Sequence, residues 1–227
     1  MSIPRLVIFD MDGTIIDSQQ EILAAMSSAF TLAGHPQPTR EAVLSIVGLS
    51  LPEAMMTLAP YLSEAQALEL AELYKHSFLS MKAEDGNKPM PLYPGVIETL
   101  DALAADPWTT MGIATGKARR GLDRVFSVHD LAGYFMTLQT ADNHPSKPHP
   151  SMVLEAMREA GCAPEQTVMV GDTEFDMVMA REAGARTVGV SWGYHPRERL
   201  AAAGADVIID SYSELPGSLA MLWKAVG

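Results

Sequence analysis

The sequence predicts an α/β protein: a doubly wound parallel-sheet (Rossmann-like) core with an inserted all-helical cap domain. Short apolar runs alternate with amphipathic helical patterns from about residue 96 onward, and one further apolar run lies near the N-terminus. Strands that are covered on both faces read as such runs, and their alternation with helices is typical of a parallel sheet. The stretch between the first and second runs contains helical patterns only, which indicates an insertion.

Six apolar runs are predicted to form the sheet, and five helical segments accompany them. The predicted strands are Leu6–Phe9, Thr110–Ala114, Met136–Gln139, Val168–Val170, Thr187–Val190 and Val207–Ile209. The predicted core helices are Val96–Ala105, Arg119–Val128, Ser151–Gly161, Phe175–Ala183 and Arg197–Ala203. Sheets of this type hold their ligands at the carboxyl ends of the strands, so functional side chains are expected directly after each run.

The predicted cap consists of helices between about residues 20 and 84. These helices are expected at Ile22–Leu32, Arg40–Val47, Leu51–Leu58 and Ser63–Met81. Thr39 and Ser63 are suitable N-cap residues, and Pro52 fits the first turn of its helix. The prolines of the turn-rich segment Asp85–Gly95 are expected to end the last cap helix.

The domain boundaries are placed where the helical insertion meets the core. Residues 1–17 and 90–227 form the predicted catalytic core, and residues 18–89 form the predicted cap. The connecting segments Asp17–Gln20 and Asp85–Pro91 are polar or turn-rich. We therefore expect the cap to rock on the core as a rigid body.

Composition and charge exclude several classes of partner. The 227 residues carry a formal net charge of −12, which disfavours nucleic acid and anionic membranes, because both require clustered basic side chains. No apolar run approaches the roughly 20 residues of a membrane span, and the N-terminal segment lacks a signal-peptide layout. A single cysteine, Cys162, excludes an intramolecular disulfide and fits a reducing compartment. We expect a cytoplasmic protein.

Polar and charged side chains follow four of the predicted strands. They are Asp10, Asp12, Thr115, Gly116, Lys117, Lys147, Asp172 and Asp176. A parallel sheet gathers such residues along one edge. Oxygen ligands without histidine or cysteine suit Mg²⁺, and a hydroxyl, backbone N–H groups and a lysine suit a phosphoryl group.

Taken singly, each of these residues has an ordinary structural explanation. An isolated aspartate at a strand end is more often a helix cap or a turn residue, and an isolated lysine is usually solvated. The spacing of Asp10 and Asp12, followed by Gly13 and Thr14, favours a functional role. Two neighbouring carboxylates repel each other unless positive charge lies between them.

Together these motifs resemble those of the haloacid dehalogenase superfamily. The matching motifs are DMDGT at Asp10–Thr14, Thr115 after a strand, Lys147 before Pro148, and GDTEFD at Gly171–Asp176. The resemblance covers essentially the whole chain, and a helical cap after the first motif is similar to the phosphoglycolate phosphatase-like branch. It implies phosphoryl-transfer chemistry, with Mg²⁺ as the cofactor.

The resemblance assigns the acids to the reaction and to the metal. Asp10 would be the nucleophile that forms an aspartyl-phosphate, and Asp12 would protonate the leaving oxygen and later activate water. Mg²⁺ would be held by Asp10, by the backbone carbonyl of Asp12 and by Asp172. Asp176 would lie behind these ligands or contact the metal occasionally.

The resemblance also assigns the phosphoryl group to the other strand ends. Thr115 and the N–H of Gly116 would bind its oxygens, and Lys147 would bridge it to the nucleophile. The implied catalytic residues are therefore Asp10, Asp12, Thr115 and Lys147.

These assignments predict a Mg²⁺-dependent phosphatase that acts on a small phosphorylated metabolite as a monomer or homodimer, with phosphoglycolate as the first candidate substrate. A sugar phosphomutase or a pyrophosphatase of the same superfamily is an alternative. The mutase relatives carry a cap arginine where this chain has Leu51, which disfavours a mutase. An alternative from another class is a receiver-like phosphate-sensing module, which also places acids and a lysine at a sheet edge but is shorter and has no cap.

Overall fold

A six-stranded parallel sheet forms the centre of the protein, which confirms the predicted fold class. The computed structural model describes residues 3–86 and 88–224. Its strands are β1 (Arg5–Phe9), β2 (Thr109–Thr115), β3 (Phe135–Thr140), β4 (Thr167–Gly171), β5 (Arg186–Val190) and β6 (Val207–Ile209). Their order is β3-β2-β1-β4-β5-β6, so the topology switches between β1 and β4. Doubly wound sheets bind their ligands at such a switch point.

Ten α-helices accompany the strands in the described ranges. They are α1 (Gln19–Leu32), α2 (Arg40–Leu44), α3 (Leu51–Leu58), α4 (Glu64–Glu84), α5 (Val96–Ala104), α6 (Arg119–His129), α7 (Ser151–Ala160), α8 (Glu174–Glu182), α9 (Arg197–Ala202) and α10 (Leu215–Lys224). Among these helices, none is both long enough and apolar enough to cross a membrane.

Helices cover both faces of the sheet. Side chains of α5, α6 and α10 pack on one face, and side chains of α7 and α8 pack on the other. Val7 and Phe9 of β1 belong to the first core, whereas Leu6 and Ile8 belong to the second. Because successive strand residues point to opposite faces and both faces are buried, the strand appears in the sequence as an uninterrupted apolar run.

The first four helices form a bundle with an apolar core of its own. α1 packs along α4, and α3 packs on the same helix. Met26, Phe30, Met55 and Leu70 are among its fully buried side chains. This bundle is the inserted helical cap.

The residue numbers chosen for the domain boundaries stay a prediction. Residues 1–2 and 225–227 of the predicted core, and Asn87 of the predicted cap and connecting segment, lie outside the described residues.

The two connections between cap and core are hydrogen-bonded to each other. Asp17 N–H donates to the carbonyl of Pro91 at 2.9 Å, and Tyr93 N–H donates to the carbonyl of Ile15 at 3.0 Å. The outgoing and returning chains therefore form a short antiparallel ladder next to the sheet. The outgoing connection is shorter than predicted, because α1 already begins at Gln19.

Two cap helices end at residues other than those predicted. α2 stops at Leu44 rather than Val47, because the chain passes into turns that lead to Gly48, whose φ is +103°. α4 runs to Glu84 and is followed by Gly86 at a φ of +67°. A left-handed glycine ends this helix, not the prolines that follow, because only glycine adopts that conformation without strain.

The C-terminal helix α10 was not predicted. Pro216 and Gly217 lie in its first turn, and this pair of residues ordinarily indicates a loop. Proline is compatible with a first turn because the N–H groups there have no partner within the helix.

Replacing the N-cap residue of α4 should destabilise the protein. Ser63 Oγ accepts from Gln66 N–H at 3.4 Å, and Gln66 Oε1 accepts from Ser63 N–H at 3.0 Å, which is a capping box. We expect Ser63→Ala to lower the free energy of unfolding by about 1 kcal/mol in urea titrations. Ser80→Ala, at an exposed position inside the same helix, is the matched control and should change it by less than about 0.5 kcal/mol. Equal losses in both variants would contradict the capping role.

Candidate active site

The carboxyl ends of β1 and β4 lie side by side and bring the two acidic motifs together. Phe9 of β1 pairs with Val170 of β4, and the next residue, Asp10, donates its N–H to the carbonyl of Val170 at 2.9 Å. Asp172 leaves β4 at the same edge. α8 begins immediately afterwards and carries Asp176 in its first turn.

Three carboxylates from these motifs meet in one buried cluster. Asp10, Asp172 and Asp176 each contribute an oxygen to a group whose members lie within 4.8 Å of one another. All three side chains are buried. Like charges at such separations repel strongly where water is excluded, so the cluster requires positive charge.

Lys147, from the loop after β3, supplies one positive charge. Its Nζ lies 2.9 Å from Asp10 Oδ1 and 2.6 Å from Asp176 Oδ1, and its side chain is fully buried. Burial alone lowers the pKa of Lys147, but the two carboxylates outweigh burial and hold the pKa above its ordinary value. The ammonium group therefore stays charged, and one positive charge still faces three carboxylates.

Asp10 is the acid with the fewest partners. Within the described chain, neither of its carboxylate oxygens has a hydrogen-bond donor in good alignment, although Lys147 lies at ion-pair distance. Burial raises the pKa of Asp10 to about 7, and the charge of Lys147 offsets only part of that effect. Buried polar atoms without partners are rare in folded proteins, so the oxygens of Asp10 are available to a ligand.

Asp172 is held in place by donors and by glycines. Thr14 Oγ1 donates to Asp172 Oδ1 at 2.9 Å, and Tyr194 N–H donates to Asp172 Oδ2 at 2.9 Å. A Cβ atom at Gly13 or Gly193 would collide with the Asp172 side chain. Burial raises the pKa of Asp172 well above its ordinary value.

Asp176 has partners on both of its oxygens. Oδ1 accepts from Lys147 at 2.6 Å, and Oδ2 accepts from the N–H and the Oγ1 of Thr173 at 3.1 Å and 2.7 Å. Its carboxylate belongs to the acid cluster, and its predicted place behind the metal ligands stays a prediction. Because both of its oxygens are engaged, Asp176 is better suited to a place behind the direct ligands.

The acid cluster fits a hard divalent cation. It has more carboxylates than ammonium groups, and all of its possible metal ligands are oxygen atoms. Neither oxygen of Asp10 has an aligned hydrogen-bond donor among the described residues. Mg²⁺ prefers carboxylate and carbonyl oxygens of this kind.

Asp12 lies outside the acid cluster, and its carboxylate is held by two partners. Ser18 Oγ donates to Asp12 Oδ1 at 2.6 Å, and Lys117 Nζ lies 3.0 Å from Asp12 Oδ2. Ser18 is the N-cap residue of α1, yet its side chain makes no capping hydrogen bond in the described chain. Its N–H donates to Tyr194 Oη at 3.1 Å. The expected acid–base residue is therefore tied to the first turn of the cap.

A loop of the cap packs directly on the turn after β2. A Cβ atom at Gly116 would lie 2.5 Å from the carbonyl oxygens of Gly48 and Leu49. Ser50 N–H donates to Ser146 Oγ at 2.8 Å, across the boundary between cap and core. The cap is therefore closed over the carboxyl ends of the strands.

Closure leaves a cavity of about 490 Å³ between cap and core. Asp10, Asp12, Thr115 and Gly116 line it, so the structure brings these predicted residues to one space. The acid cluster and Lys147 lie at and beneath the same end. Thr115 is buried at the end of β2, and its Oγ1 accepts from the N–H of Lys117 at 3.2 Å.

Sequence reasoning missed four side chains that position the acids. Lys117 is predicted at the sheet edge without a role, and Thr14 is predicted only as part of a motif. Ser18 and Tyr194 were not singled out. Tyr194 lies in the loop after β5, another strand end at the same edge, so applying the strand-end rule to β5 would have found it.

Known proteins resemble this chain over almost its whole length. The family model described as haloacid dehalogenase-like hydrolase matches residues 7–190. A protein named "Probable phosphatase IndB" from Dickeya dadantii is 35% identical over 222 residues, which cover 96% of this chain and 95% of that relative. A phosphoglycolate phosphatase of Vibrio parahaemolyticus is 30% identical over 220 residues, which cover 93% of this chain and 94% of the relative.

Solved structures share the fold of core and cap. A haloacid dehalogenase-like family hydrolase from Streptococcus pneumoniae matches with a TM-score of 0.81 at 25% identity, covering 96% of this chain and 99% of its own. A hydrolase from Pseudomonas syringae matches with a TM-score of 0.83 at 23% identity, covering 96% and 98%, and this likeness concerns the fold alone.

Without a metal, the buried carboxylate of Asp10 should cost stability as the pH rises. Folding raises the pKa of Asp10 from 3.8 to about 7. Below about pH 4 Asp10 is protonated in both states and does not lower the free energy of unfolding. Between about pH 4 and pH 7 the free energy of unfolding should fall progressively as the pH rises, because the unfolded chain loses this proton more easily than the folded one. In the presence of EDTA, Asp10→Asn should therefore stabilise the protein more at pH 8 than at pH 5, by about 1 kcal/mol or more. Urea titrations at the two pH values measure this difference.

The matched control for this experiment is Asp123→Asn, which removes an exposed carboxylate of α6. It measures how the loss of one exposed negative charge changes the free energy of unfolding at the two pH values. If Asp10→Asn changed stability equally at both pH values after this correction, the burial of an ionised Asp10 would not be the cause.

Proposed function

The chain belongs to the family of haloacid dehalogenase-like hydrolases, and on that basis we propose that it is a Mg²⁺-dependent phosphatase. It hydrolyses a small phosphomonoester through an aspartyl-phosphate on Asp10. The observation that carries this proposal is the state of Asp10, a buried carboxylate that lines the cavity and has no aligned donor among the described residues. A carboxylate oxygen in this state is free to attack phosphorus.

The phosphoryl group is placed between Asp10 and the turn after β2. The hydroxyl of Thr115 and the N–H of Gly116 bind its oxygens, and Lys147, 2.9 Å from Asp10, supplies positive charge beside the nucleophile. These groups are fixed before the substrate arrives, so little reorganisation is needed as negative charge develops on the phosphoryl oxygens.

Asp12 is assigned the acid–base role. It lines the same cavity as Asp10, and Ser18 and Lys117 hold its carboxylate in one orientation. Asp12 gives a proton to the leaving oxygen when Asp10 attacks. It then takes a proton from the water that hydrolyses the aspartyl-phosphate.

Mg²⁺ is assigned to the acid cluster, held by Asp10, Asp172 and the backbone carbonyl of Asp12, with Asp176 behind them. When bound, Mg²⁺ neutralises charge between the nucleophile and the phosphate. The all-oxygen donor set and its excess of negative charge support this assignment.

The closed cap shields the aspartyl-phosphate from bulk water and shapes the space for the leaving group.

Several relatives are named phosphoglycolate phosphatases, so phosphoglycolate is the first metabolite to test. We propose a monomer or homodimer that has no nucleic-acid or membrane partner. The unpaired Cys162 supports a location in the cytoplasm.

Replacing either catalytic aspartate should remove turnover and leave the fold intact. Asp10→Asn should lower kcat by about a thousandfold or more, since an amide cannot supply the nucleophilic oxygen. Asp12→Asn should lower it by about 10² to 10⁴-fold, and more for alkyl than for aryl phosphates, whose leaving groups need no proton. Phosphate release measures activity, and circular dichroism checks the fold.

Asp123→Asn, the exposed control on α6, should keep full activity. If Asp10→Asn turned over substrate at the rate of the unmodified protein, Asp10 could not be the nucleophile.

Removal of the metal should abolish activity reversibly. Dialysis against EDTA should stop phosphate release, and Mg²⁺ should restore it, whereas Ca²⁺ should support little turnover because its coordination shell is larger and looser. Mg²⁺ should also raise the Tm of the unmodified protein, and this rise should be smaller in Asp172→Asn. Full activity after exhaustive dialysis against EDTA would refute the role of the metal.

A further inference from the structure

The cavity next to Asp10 is larger than a phosphoryl group, and its cap side is apolar. Its volume of about 490 Å³ lies within the range of roughly 300–1,000 Å³ that is usual for sites of drug-sized ligands. Charged groups line the end at the sheet. The cap contributes Ile22 and Met26 from α1, Leu51 from α3, and Tyr74 and Phe78 from α4.

Two aromatic rings of α4 form a continuous surface in this lining. Tyr74 and Phe78 are one helical turn apart, and their rings lie 28° from parallel with centroids 6.2 Å apart. Phe78 also packs against the main core of the sheet, which fixes its position. Aromatic faces that remain partly exposed inside a cavity favour contact with apolar or planar groups.

Tyr74 adds one polar group to this surface. Burial raises the pKa of Tyr74 above its ordinary value, and the nearby charges of Asp12 and Glu21 raise it further, so the phenol stays neutral. No described residue donates a hydrogen bond to its hydroxyl or accepts one from it. A hydroxyl close to the acid–base residue is therefore available to an oxygen of the substrate.

The cap side of the cavity is poorly suited to a small acid. Phosphoglycolate would place its carboxylate carbon two atoms beyond the ester oxygen, where a cation should hold the carboxylate. Among the described cap residues that line the cavity, Lys75 is the one basic side chain, and it is exposed and paired with Glu72 at 2.6 Å. The core contributes three more cations to the cavity. Lys117 is paired with Asp12 at 3.0 Å, and Arg120 and Arg124 of α6 are exposed and half-buried respectively.

We infer that the substrate is a phosphomonoester whose alcohol part carries an apolar or aromatic group of about the size of one ring, seated against Tyr74 and Phe78. This inference rests on the proposed phosphatase function and narrows it, away from phosphoglycolate. The reaction is unchanged: the bond between phosphorus and the ester oxygen breaks, and water supplies the hydroxyl to phosphorus and the proton to the alcohol.

The test compares 2-phenylethyl phosphate with ethyl phosphate in the presence of Mg²⁺. Both have primary alkyl leaving groups, so their intrinsic reactivities are matched and the ring is the difference. The value of kcat/KM should be at least about tenfold higher for 2-phenylethyl phosphate, and it should also exceed that for phosphoglycolate. Equal values for the two alkyl esters, or a preference for phosphoglycolate, would overturn the inference.

Variants of α4 assign the effect to the aromatic surface. Phe78→Leu keeps an apolar side chain against the core and should lower the ratio of the two kcat/KM values severalfold. Leu68→Ala, at an exposed position of the same helix that does not line the cavity, is the matched control and should leave the ratio unchanged. If the ratio of the two kcat/KM values were the same in Phe78→Leu and in the unmodified protein, the substrate's ring would not bind against Phe78, and the proposal would be overturned.

Binding separates this inference from the proposed reaction. 3-Phenylpropylphosphonate and propylphosphonate have carbon in place of the ester oxygen of the two alkyl phosphates, so they bind without being hydrolysed. In calorimetry with Mg²⁺ present, Kd should be at least about tenfold lower for the phenylpropyl compound. Equal Kd values overturn the inference. If the protein showed a tenfold binding preference but hydrolysed no phosphomonoester, the binding of an apolar group against Tyr74 and Phe78 would be supported and the proposed phosphatase activity would be refuted.

Discussion

The burial of three carboxylates beside a single ammonium group is the constraint that organises the carboxyl edge of the sheet. Asp10, Asp172 and Asp176 share one small space with Lys147, and none of them reaches bulk water. Such a group is unfavourable unless each oxygen has a partner or a ligand. Asp172 and Asp176 accept hydrogen bonds from hydroxyls and backbone N–H groups, and neighbouring glycines leave room for their side chains. The oxygens of Asp10 have no such donors among the described residues. The cost in stability therefore falls on Asp10, whose carboxylate oxygens remain open to a ligand.

The same residues that hold the acids also hold the cap. Tyr194 donates its N–H to Asp172, contacts Ser18 through its hydroxyl, and packs its ring in the apolar core of the cap. The neighbouring His195 accepts from the N–H of Glu174 on Nδ1, so Nε2 carries the proton that is donated to the carbonyl of Ser45 in the cap. Because one loop serves both tasks, the closed position of the cap and the geometry of the acid cluster depend on each other.

Much of this arrangement could be predicted from the sequence, because parallel sheets impose two simple rules. Burial on both faces makes each strand a visible apolar run, and the common direction of the strands brings their ends to one edge. These rules located all six strands and placed Asp10 and Asp172 together. Contacts made between distant segments left no such signal. The hydrogen bond from Ser18 to Tyr194 spans 176 positions of sequence, and the apolar lining of the cavity arises only when separate helices fold together.

The ladder between Ile15–Asp17 and Pro91–Tyr93 has a consequence for how such a protein can change over evolutionary time. The cap leaves the core and returns to it at adjacent points, so the rest of the chain is connected as if the insertion were absent. Insertions whose ends lie close together are well tolerated by the domain that receives them. The helical bundle can therefore be lengthened, remodelled or exchanged without moving a strand of the sheet. New substrates become accessible by changing a module, while the machinery that cleaves the phosphate ester is inherited intact.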